Sequence, residues 1–174
     1  MNLMTEIRFT PFPTLTTERF VLRRLSIQDD NEIFAIRSDE SVAKYLDRPI
    51  AKSIDEARQF IAKINSSIDN NESIYWVINF KNDSKFIGSI CLWNISWEER
   101  KAEIGFELFP VHQGKGIMQE VLPVIIKYGF EKMKLNSVEG EVDPDNLKSI
   151  KLMIKNGFTY NRKLENTVVY SVVN

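Results

Sequence analysis

The chain has 174 residues, 23 basic and 24 acidic side chains and a formal net charge of −1, so it lacks the basic footprint of a protein that binds duplex nucleic acid. Its composition, 43% hydrophobic and 27% charged, predicts a folded chain rather than a disordered one. Cys91 is the single cysteine, which excludes an intramolecular disulfide, and one cysteine with one histidine cannot build a Cys/His metal framework.

The sequence also predicts the location of the protein and its number of domains. No stretch is long and apolar enough to span a bilayer, and the first residues contain no apolar signal core. We therefore expect a cytoplasmic protein with no membrane partner. The length suits one domain over residues 1–174, with residues 1–14 as an N-terminal arm that ends in the turn Pro11-Phe12-Pro13.

The first half of the chain predicts a strand, two helices and a hairpin. Ser53 followed by Glu56 forms a capping box, which marks the start of a helix. Asn82-Asp83 indicates the turn between two runs of β-branched and aromatic residues. The predicted elements are, in order, a strand at 19–25, helices at 27–38 and 53–68, and strands at 74–80 and 86–93.

The second half predicts alternating strands and helices. Residues 101–109 alternate polar and apolar side chains, as expected for a strand with one buried face. Gly157 stands where a helix typically ends. The remaining predicted elements are helices at 116–132 and 147–156 and strands at 137–142, 158–160 and 167–173. This order predicts a mixed α/β architecture around one sheet.

The passage from the strand at 101–109 to the next helix indicates an anion site. The first amides of a helix have no acceptor within the helix and lie at the positive end of its dipole. Gln113-Gly114-Lys115-Gly116 therefore predicts a phosphate cradle, although both glycines also suit a simple turn. The loop lacks the glycine spacing of a P-loop, and Gln119 breaks the dinucleotide-binding pattern G-x-G-x-x-G.

The segment from Gln113 to Ile117 resembles the acetyl-CoA signature of the GNAT superfamily of N-acetyltransferases, Arg/Gln-x-x-Gly-x-Gly/Ala. Met118 departs from it, because the pattern has glycine or alanine there. Three further stretches resemble the Rim-type branch, which includes ribosomal-protein N-terminal acetyltransferases. They are Thr16 to Arg23, Ala102 to Phe106, and Asn146 to Ser149 with Lys155 to Phe158.

The resemblance implies a mixed, mostly antiparallel sheet of about seven strands flanked by about four helices. It also implies direct transfer of acetyl from acetyl-CoA to a primary amine. A protein or peptide N-terminus is the favoured acceptor, because an α-amine has a pKa near 7.7–8.0 and a lysine amine one near 10.4. A small amine such as a polyamine, amino acid or drug is the alternative, as is a non-catalytic acyl-CoA-binding module. The oligomeric state stays open, a homodimer included.

The resemblance further implies which residues bind acetyl-CoA, with no metal required. A backbone N–H between Phe106 and Leu108 is expected to stabilise the carbonyl oxygen as it gains negative charge. The expected cofactor-binding residues are Leu108, Phe109, Gln113, Gly114, Lys115, Gly116, Ile117, Met118, Asn146 and Lys155. Asn146 also suits a helix cap, and Lys155 also suits a solvated helix end.

Three residues are candidates for proton transfer. Glu103 is the first choice for the general base, because it matches the acidic position of the family-like strand. Glu141 is the second, because its strand is expected to border the same cleft. Ser149 is expected to protonate the departing thiolate. The alternative for both glutamates is an ordinary solvated strand carboxylate. Cys91 lies in an apolar strand, where cysteines are usually inert.

Overall fold

The computed structural model describes residues 7–174, so the first six residues of the predicted arm lie outside it. Its elements are β1 (Leu15–Thr16), β2 (Phe20–Arg24), α1 (Asp30–Ser38), α2 (Glu40–Ala43), α3 (Ile54–Asp69), β3 (Ile74–Phe80), β4 (Gly88–Ser96), β5 (Lys101–Leu108), α4 (Ile117–Glu131), β6 (Ser137–Val142), α5 (Leu147–Lys155), β7 (Thr159–Lys163) and β8 (Val168–Val173). Short 3-10 turns at Ile27–Asp29 and Pro110–His112 precede α1 and α4.

The described strands form one sheet in the order β1-β2-β3-β4-β5-β6-β8-β7. The pairing of β5 with β6 is parallel, and the other neighbouring strands pair antiparallel. The predicted mixed α/β class is confirmed, with eight strands and five helices where about seven and about four were expected. The additions are small: β1 has two residues, and α2 is a single turn whose first amides donate to the Asp39 carboxylate.

Helices cover both faces of the sheet. On one face α3 packs through Phe60, whose ring meets Tyr75 of β3 edge-on at 6.0 Å. On the other face Tyr128 of α4 meets the fully buried Trp76 edge-on at 5.3 Å. The capping box of α3 forms as predicted in part, since the Glu56 amide donates to Ser53 Oγ at 3.2 Å. No helix within residues 7–174 is both long and apolar enough to cross a bilayer.

The feature that positions the site is the short pairing between β5 and β6. The two strands pair only where Lys101–Glu103 lies beside Ser137–Glu139, although β5 continues to Leu108 and β6 to Val142. Met153 of α5 packs at the point of divergence. A Cβ on Gly140 would overlap its Sδ and would lie 3.6 Å from Ile104 Cγ2. Beyond this point the strands separate and leave a cleft between them.

The close approach of β4 and β5 predicts the effect of a single methyl group. A Cβ on Gly88 would overlap the Glu107 carbonyl oxygen and the Leu108 side chain, so the backbone itself would have to move. We expect Gly88→Ala to lower the free energy of unfolding by about 1–3 kcal/mol, measured by urea denaturation.

The control is Gly129→Ala in α4. There the new methyl group would meet only side-chain ends, at 3.3 Å and beyond, and alanine favours the helix. We expect this variant to stay within about 1 kcal/mol of the wild-type free energy of unfolding. Equal stability of Gly88→Ala and the wild type would contradict the described packing of β4 on β5.

Candidate active site

The separation of β5 and β6 opens a cleft of about 980 Å³. This volume is at the upper end of the range for small-molecule sites, as a large ligand requires. Five segments contribute lining residues: 41–46 after α1, 104–108 of β5, 113–119 at the start of α4, 140–142 of β6 and 145–155 around α5.

The open edge of β5 presents backbone groups to the cleft. The Phe109 amide donates to the Ile87 carbonyl of the β4 side at 3.1 Å. Successive residues of a strand direct these groups to alternate sides, so the amides of Phe106 and Leu108 face the cleft. Gln113 Nε2 donates to the Leu108 carbonyl there, at 3.2 Å. Leu108 therefore lines the cleft. Phe109 is not among the lining residues, and its ring packs edge-on against Phe86.

The start of α4 carries six backbone N–H groups without an acceptor. Gly114 and Gly116 have φ values of 74° and 73°, in the left-handed region that favours glycine. The amides of residues 114–119 donate to no group within residues 7–174, and the helix bonding begins when the Glu120 amide reaches the Gly116 carbonyl at 3.2 Å. These donors sit at the positive end of a helix dipole, which suits a pyrophosphate. We call residues 113–119 the phosphate loop.

The structure accounts for the departure of Met118 from the family pattern. Its side chain is buried in the core beside Ile117 and Val121. Its amide belongs to the free series at the helix start. The core therefore accommodates most of the larger side chain, although Met118 also lines the cleft, and the backbone donor at this position is kept.

Helix α5 forms the opposite wall. Asn146 Oδ1 accepts a hydrogen bond from the Ser149 amide at 3.3 Å, so Asn146 caps α5, as the alternative interpretation expected. Asn146, Ser149 and Lys155 all line the cleft. Lys148 and Lys151 line it too, although the sequence analysis did not select them. Lys148 and Lys151 are three residues apart, Lys151 and Lys155 are four apart, and residues at these spacings share a helix face. This spacing is the signal from which both lysines could have been predicted.

The candidate carboxylates occupy different places. Glu141 lines the cleft and accepts a hydrogen bond from Thr167 Oγ1 at 2.6 Å. Glu103 lies where β5 and β6 are still paired, accepts from Asn94 Nδ2 at 2.7 Å, and is not among the lining residues. Within residues 7–174, no group of three or more histidine, cysteine or acidic side chains has the spacing of a metal site.

Glu107 lines the cleft and is bound by Arg48. Arg48 Nη2 lies 2.8 Å from Glu107 Oε2, and both side chains are mostly buried. Arg48 Nη1 also donates to the carbonyl of Arg37, in the last turn of α1, at 3.2 Å. The pair therefore ties the segment after α2 to the cleft. The sequence analysis missed Arg48, because its partner lies 59 residues away.

Two side chains that often take part in catalysis, Cys91 and His112, lie outside the cleft lining. Burial, with a contribution from Glu107, raises the pKa of the Cys91 thiol to about 12, so the sulfur stays protonated at neutral pH. Burial lowers the pKa of His112, and nearby Lys115 and Lys85 add to this effect. The His112 ring packs edge-on against Phe80. Because neither side chain lines the cleft, we assign neither a catalytic role.

Comparison with known proteins assigns the class that this fold and cleft suggest. Residues 19–159 match the family model described as an acetyltransferase (GNAT) domain. The chain is 33% identical over 147 residues to the "Uncharacterized N-acetyltransferase YoaA" of Bacillus subtilis (strain 168). The matched region covers 84% of this chain and 83% of that protein. The chain belongs to the GNAT family and is an N-acetyltransferase, a class that uses acetyl-CoA.

Solved structures share the fold. One is the spermidine N-acetyltransferase from Vibrio cholerae in complex with CoA and spermine, with a TM-score of 0.80, 22% identity, and coverage of 88% of this chain and 95% of that one. Another is the ribosomal-protein-S5-alanine acetyltransferase from Vibrio fischeri, with a TM-score of 0.79, 22% identity, and coverage of 93% and 97%. The predicted GNAT-like fold is confirmed, and it spans enzymes named for different acceptors.

The free amides of the phosphate loop predict a charge-dependent effect at Gly114. Asparagine and aspartate have nearly the same shape and both tolerate a positive φ, and a Cβ on Gly114 would meet no atom within 4 Å. We expect Gly114→Asp to weaken acetyl-CoA binding on the order of tenfold more than Gly114→Asn, because a carboxylate repels a pyrophosphate. Calorimetry measures both affinities. Equal affinities of the two variants would move the phosphate site elsewhere.

Proposed function

We propose that the chain, as a single domain, transfers acetyl from acetyl-CoA directly to a primary amine in the cleft between β5 and β6. The observation that carries this proposal is the series of six unpartnered amides at residues 114–119, which matches the chemistry of a pyrophosphate. The phosphate loop residues, Lys115 included, together with Leu108, Asn146 and Lys155, are proposed to bind the cofactor; Phe109 is left out because it does not line the cleft.

The residues of β5 and α5 have separate proposed tasks. The Leu108 edge of β5 and the Asn146 side chain border the pantetheine arm from two walls. The amide of Phe106 or Leu108 donates to the thioester oxygen, where a fixed backbone donor stabilises developing charge. Lys155, with Lys148 and Lys151, supplies positive charge for phosphate groups along the exposed face of α5.

We propose Glu141 as the proton acceptor for the incoming ammonium, because it lines the cleft and Glu103 does not. Glu103, the first choice from the sequence, then acts only through an intervening water. The amine nitrogen forms the new bond to the acetyl carbon as the carbon–sulfur bond breaks. Ser149 gives a proton to the departing thiolate and regains one from the newly acylated nitrogen, which must lose its second proton to form the neutral amide.

The proposed acceptor is a protein or peptide N-terminal amine. Its pKa, near 7.7–8.0, leaves a useful fraction of free amine at neutral pH. The S5-alanine acetyltransferase among the structural neighbours supports this acceptor. A polyamine is the second candidate, supported by the neighbouring spermidine enzyme and by the exposed Glu141 carboxylate in the cleft.

Ligand-induced stabilisation tests cofactor binding. Acetyl-CoA at a hundred times its Kd is expected to stabilise the folded chain by about 2.7 kcal/mol, because a ligand that binds only the native state shifts the equilibrium by mass action. Differential scanning fluorimetry measures the rise in melting temperature. An unchanged melting temperature at millimolar acetyl-CoA would contradict the proposal.

Glu141→Gln tests the base, because glutamine keeps the shape and removes the proton acceptor. We expect acetyl transfer to slow on the order of 10²–10⁴-fold, with acetyl-CoA affinity unchanged. The deficit shrinks as pH rises, since free amine becomes abundant. The assay measures thiol release with peptide N-termini and with polyamines as acceptors.

Glu103→Gln and Glu131→Gln complete the experiment. The first is expected to show a smaller loss than Glu141→Gln. The second removes an exposed carboxylate at the far end of α4 and serves as the control with wild-type turnover. Wild-type rates for Glu141→Gln and Glu103→Gln from pH 6 to 9 would exclude both bases. A wild type that binds acetyl-CoA but releases no CoA with any amine would favour a binding module.

A further inference from the structure

Thr17 and Arg19 belong to the stretch at residues 16–23 that resembles the opening strand of the Rim-type branch, yet neither side chain lines the cleft. Arg19 reaches the phosphate loop, and Thr17 reaches Glu120 in the first turn of α4. Thr17 and Arg19 precede β2 and are linked to α4 by contacts that span about a hundred residues of sequence. These two residues therefore influence the loop without lining the cleft that a ligand would occupy.

The Arg19 guanidinium makes three contacts with the loop and helix α4. Its Nη1 donates to the Lys115 carbonyl and its Nη2 to the Gly116 carbonyl, each at 3.3 Å. Its Nε lies 2.6 Å from Glu120 Oε2. Glu120 Oε1 accepts from the Arg19 amide at 2.8 Å and from Thr17 Oγ1 at 2.6 Å. One guanidinium and one carboxylate thus join the entry to β2 with the start of α4.

These contacts fix the direction of two of the free amides. In a trans peptide, the carbonyl of one residue and the N–H of the next point in opposite directions. Holding the Lys115 carbonyl therefore sets the Gly116 N–H, and holding the Gly116 carbonyl sets the Ile117 N–H. Glycine loses the most backbone freedom on ordering, so a loop ordered in advance binds a ligand at a lower entropic cost.

The same contacts also neutralise the negative charge of Glu120, which is unfavourable for binding a phosphate nearby. Glu120 lies in the first turn of α4, next to the amides proposed to bind pyrophosphate. Burial alone would raise the pKa of Glu120, but hydrogen bonds from Thr17 and Arg19 outweigh it and hold that pKa below its usual value. Glu120 is therefore anionic at neutral pH. Without Arg19, this carboxylate would repel an incoming phosphate.

We propose that Arg19 is a positioning residue for acetyl-CoA. It holds the Lys115 and Gly116 carbonyls away from the ligand and neutralises Glu120, and Thr17 keeps that carboxylate in place. The proposal rests on the cofactor site of the proposed function. It adds a residue that cofactor binding needs but that does not contact the cofactor, because Arg19 holds the loop from the side away from the cleft.

Arg19→Met tests the proposal, because methionine keeps much of the length and removes the charge and the donors. We expect the Kd for acetyl-CoA to rise on the order of tenfold, with the KM of the amine unchanged. Arg58→Met is the matched control: Arg58 also donates to a carboxylate, that of Asp30, at 2.8 Å, and is 51% exposed where Arg19 is 44% exposed. This control is expected to bind acetyl-CoA like the wild type.

Two further variants separate the effects. Arg19→Lys is expected to lose affinity as well, because one ammonium cannot replace the fork that reaches three acceptors. Arg19→Met with Glu120→Gln is expected to recover part of the affinity that Arg19→Met loses, since the repelling charge is gone. If Arg19→Met does not fold, Arg19→Lys replaces it in the comparison.

The outcomes are distinct. Wild-type affinity in Arg19→Met, or in Arg19→Lys where that variant is used, overturns this proposal and leaves the proposed function intact. An equal loss in Arg58→Met shows a general effect of charge and also overturns it. A wild type that fails to bind acetyl-CoA overturns the proposed function itself. A loss confined to the Arg19 variants, with the amine KM unchanged, supports the proposal.

Discussion

The cleft exists because β5 and β6 pair over three residues and then separate. Parallel neighbours in a sheet normally continue their hydrogen bonds, so the separation leaves donors on the Leu108 edge of β5 exposed to a ligand. Met153 packs where a side chain at position 140 would otherwise stand, which couples α5 to the divergence. The start of α4 and the face of α5 then close the cleft from two sides. A sheet that paired fully would have no such space.

The proposed cofactor site depends on backbone dipoles more than on side-chain charge. The chain has a net charge of −1, so it has no general attraction for anions. Six free amides at one helix start concentrate positive potential at a single place, and they require no flexible side chain to be ordered. The lysines of α5 lie on the opposite wall, where their exposed ammonium groups interact weakly with one another in solvent. The backbone amides at the start of α4 therefore form a fixed wall of the cleft, and the lysine side chains of α5 form a wall that can adapt to the ligand.

The sequence predicted the features that depend on neighbouring residues. The glycine loop and helix start at residues 113–117 could be predicted because a strand, two glycines and an apolar helical pattern follow one another along the chain. The single turn α2 was missed, since it rests on the Asp39 cap rather than on an apolar period. The position of Glu103 relative to the cleft depends on where β6 separates from β5, which no local pattern records. The Arg48–Glu107 pair was missed for the same reason, because its contact spans 59 residues.

The amide NMR signals of residues 114–119 test the central claim most directly. Addition of CoA, with spectra recorded before and after, is expected to shift these six signals strongly and to slow their hydrogen exchange, because each unpartnered N–H gains an acceptor or lies beside one. The amides of β7, at an outer edge of the sheet, serve as internal references. Binding of CoA that leaves the signals of residues 114–119 unchanged while shifting others would contradict the account.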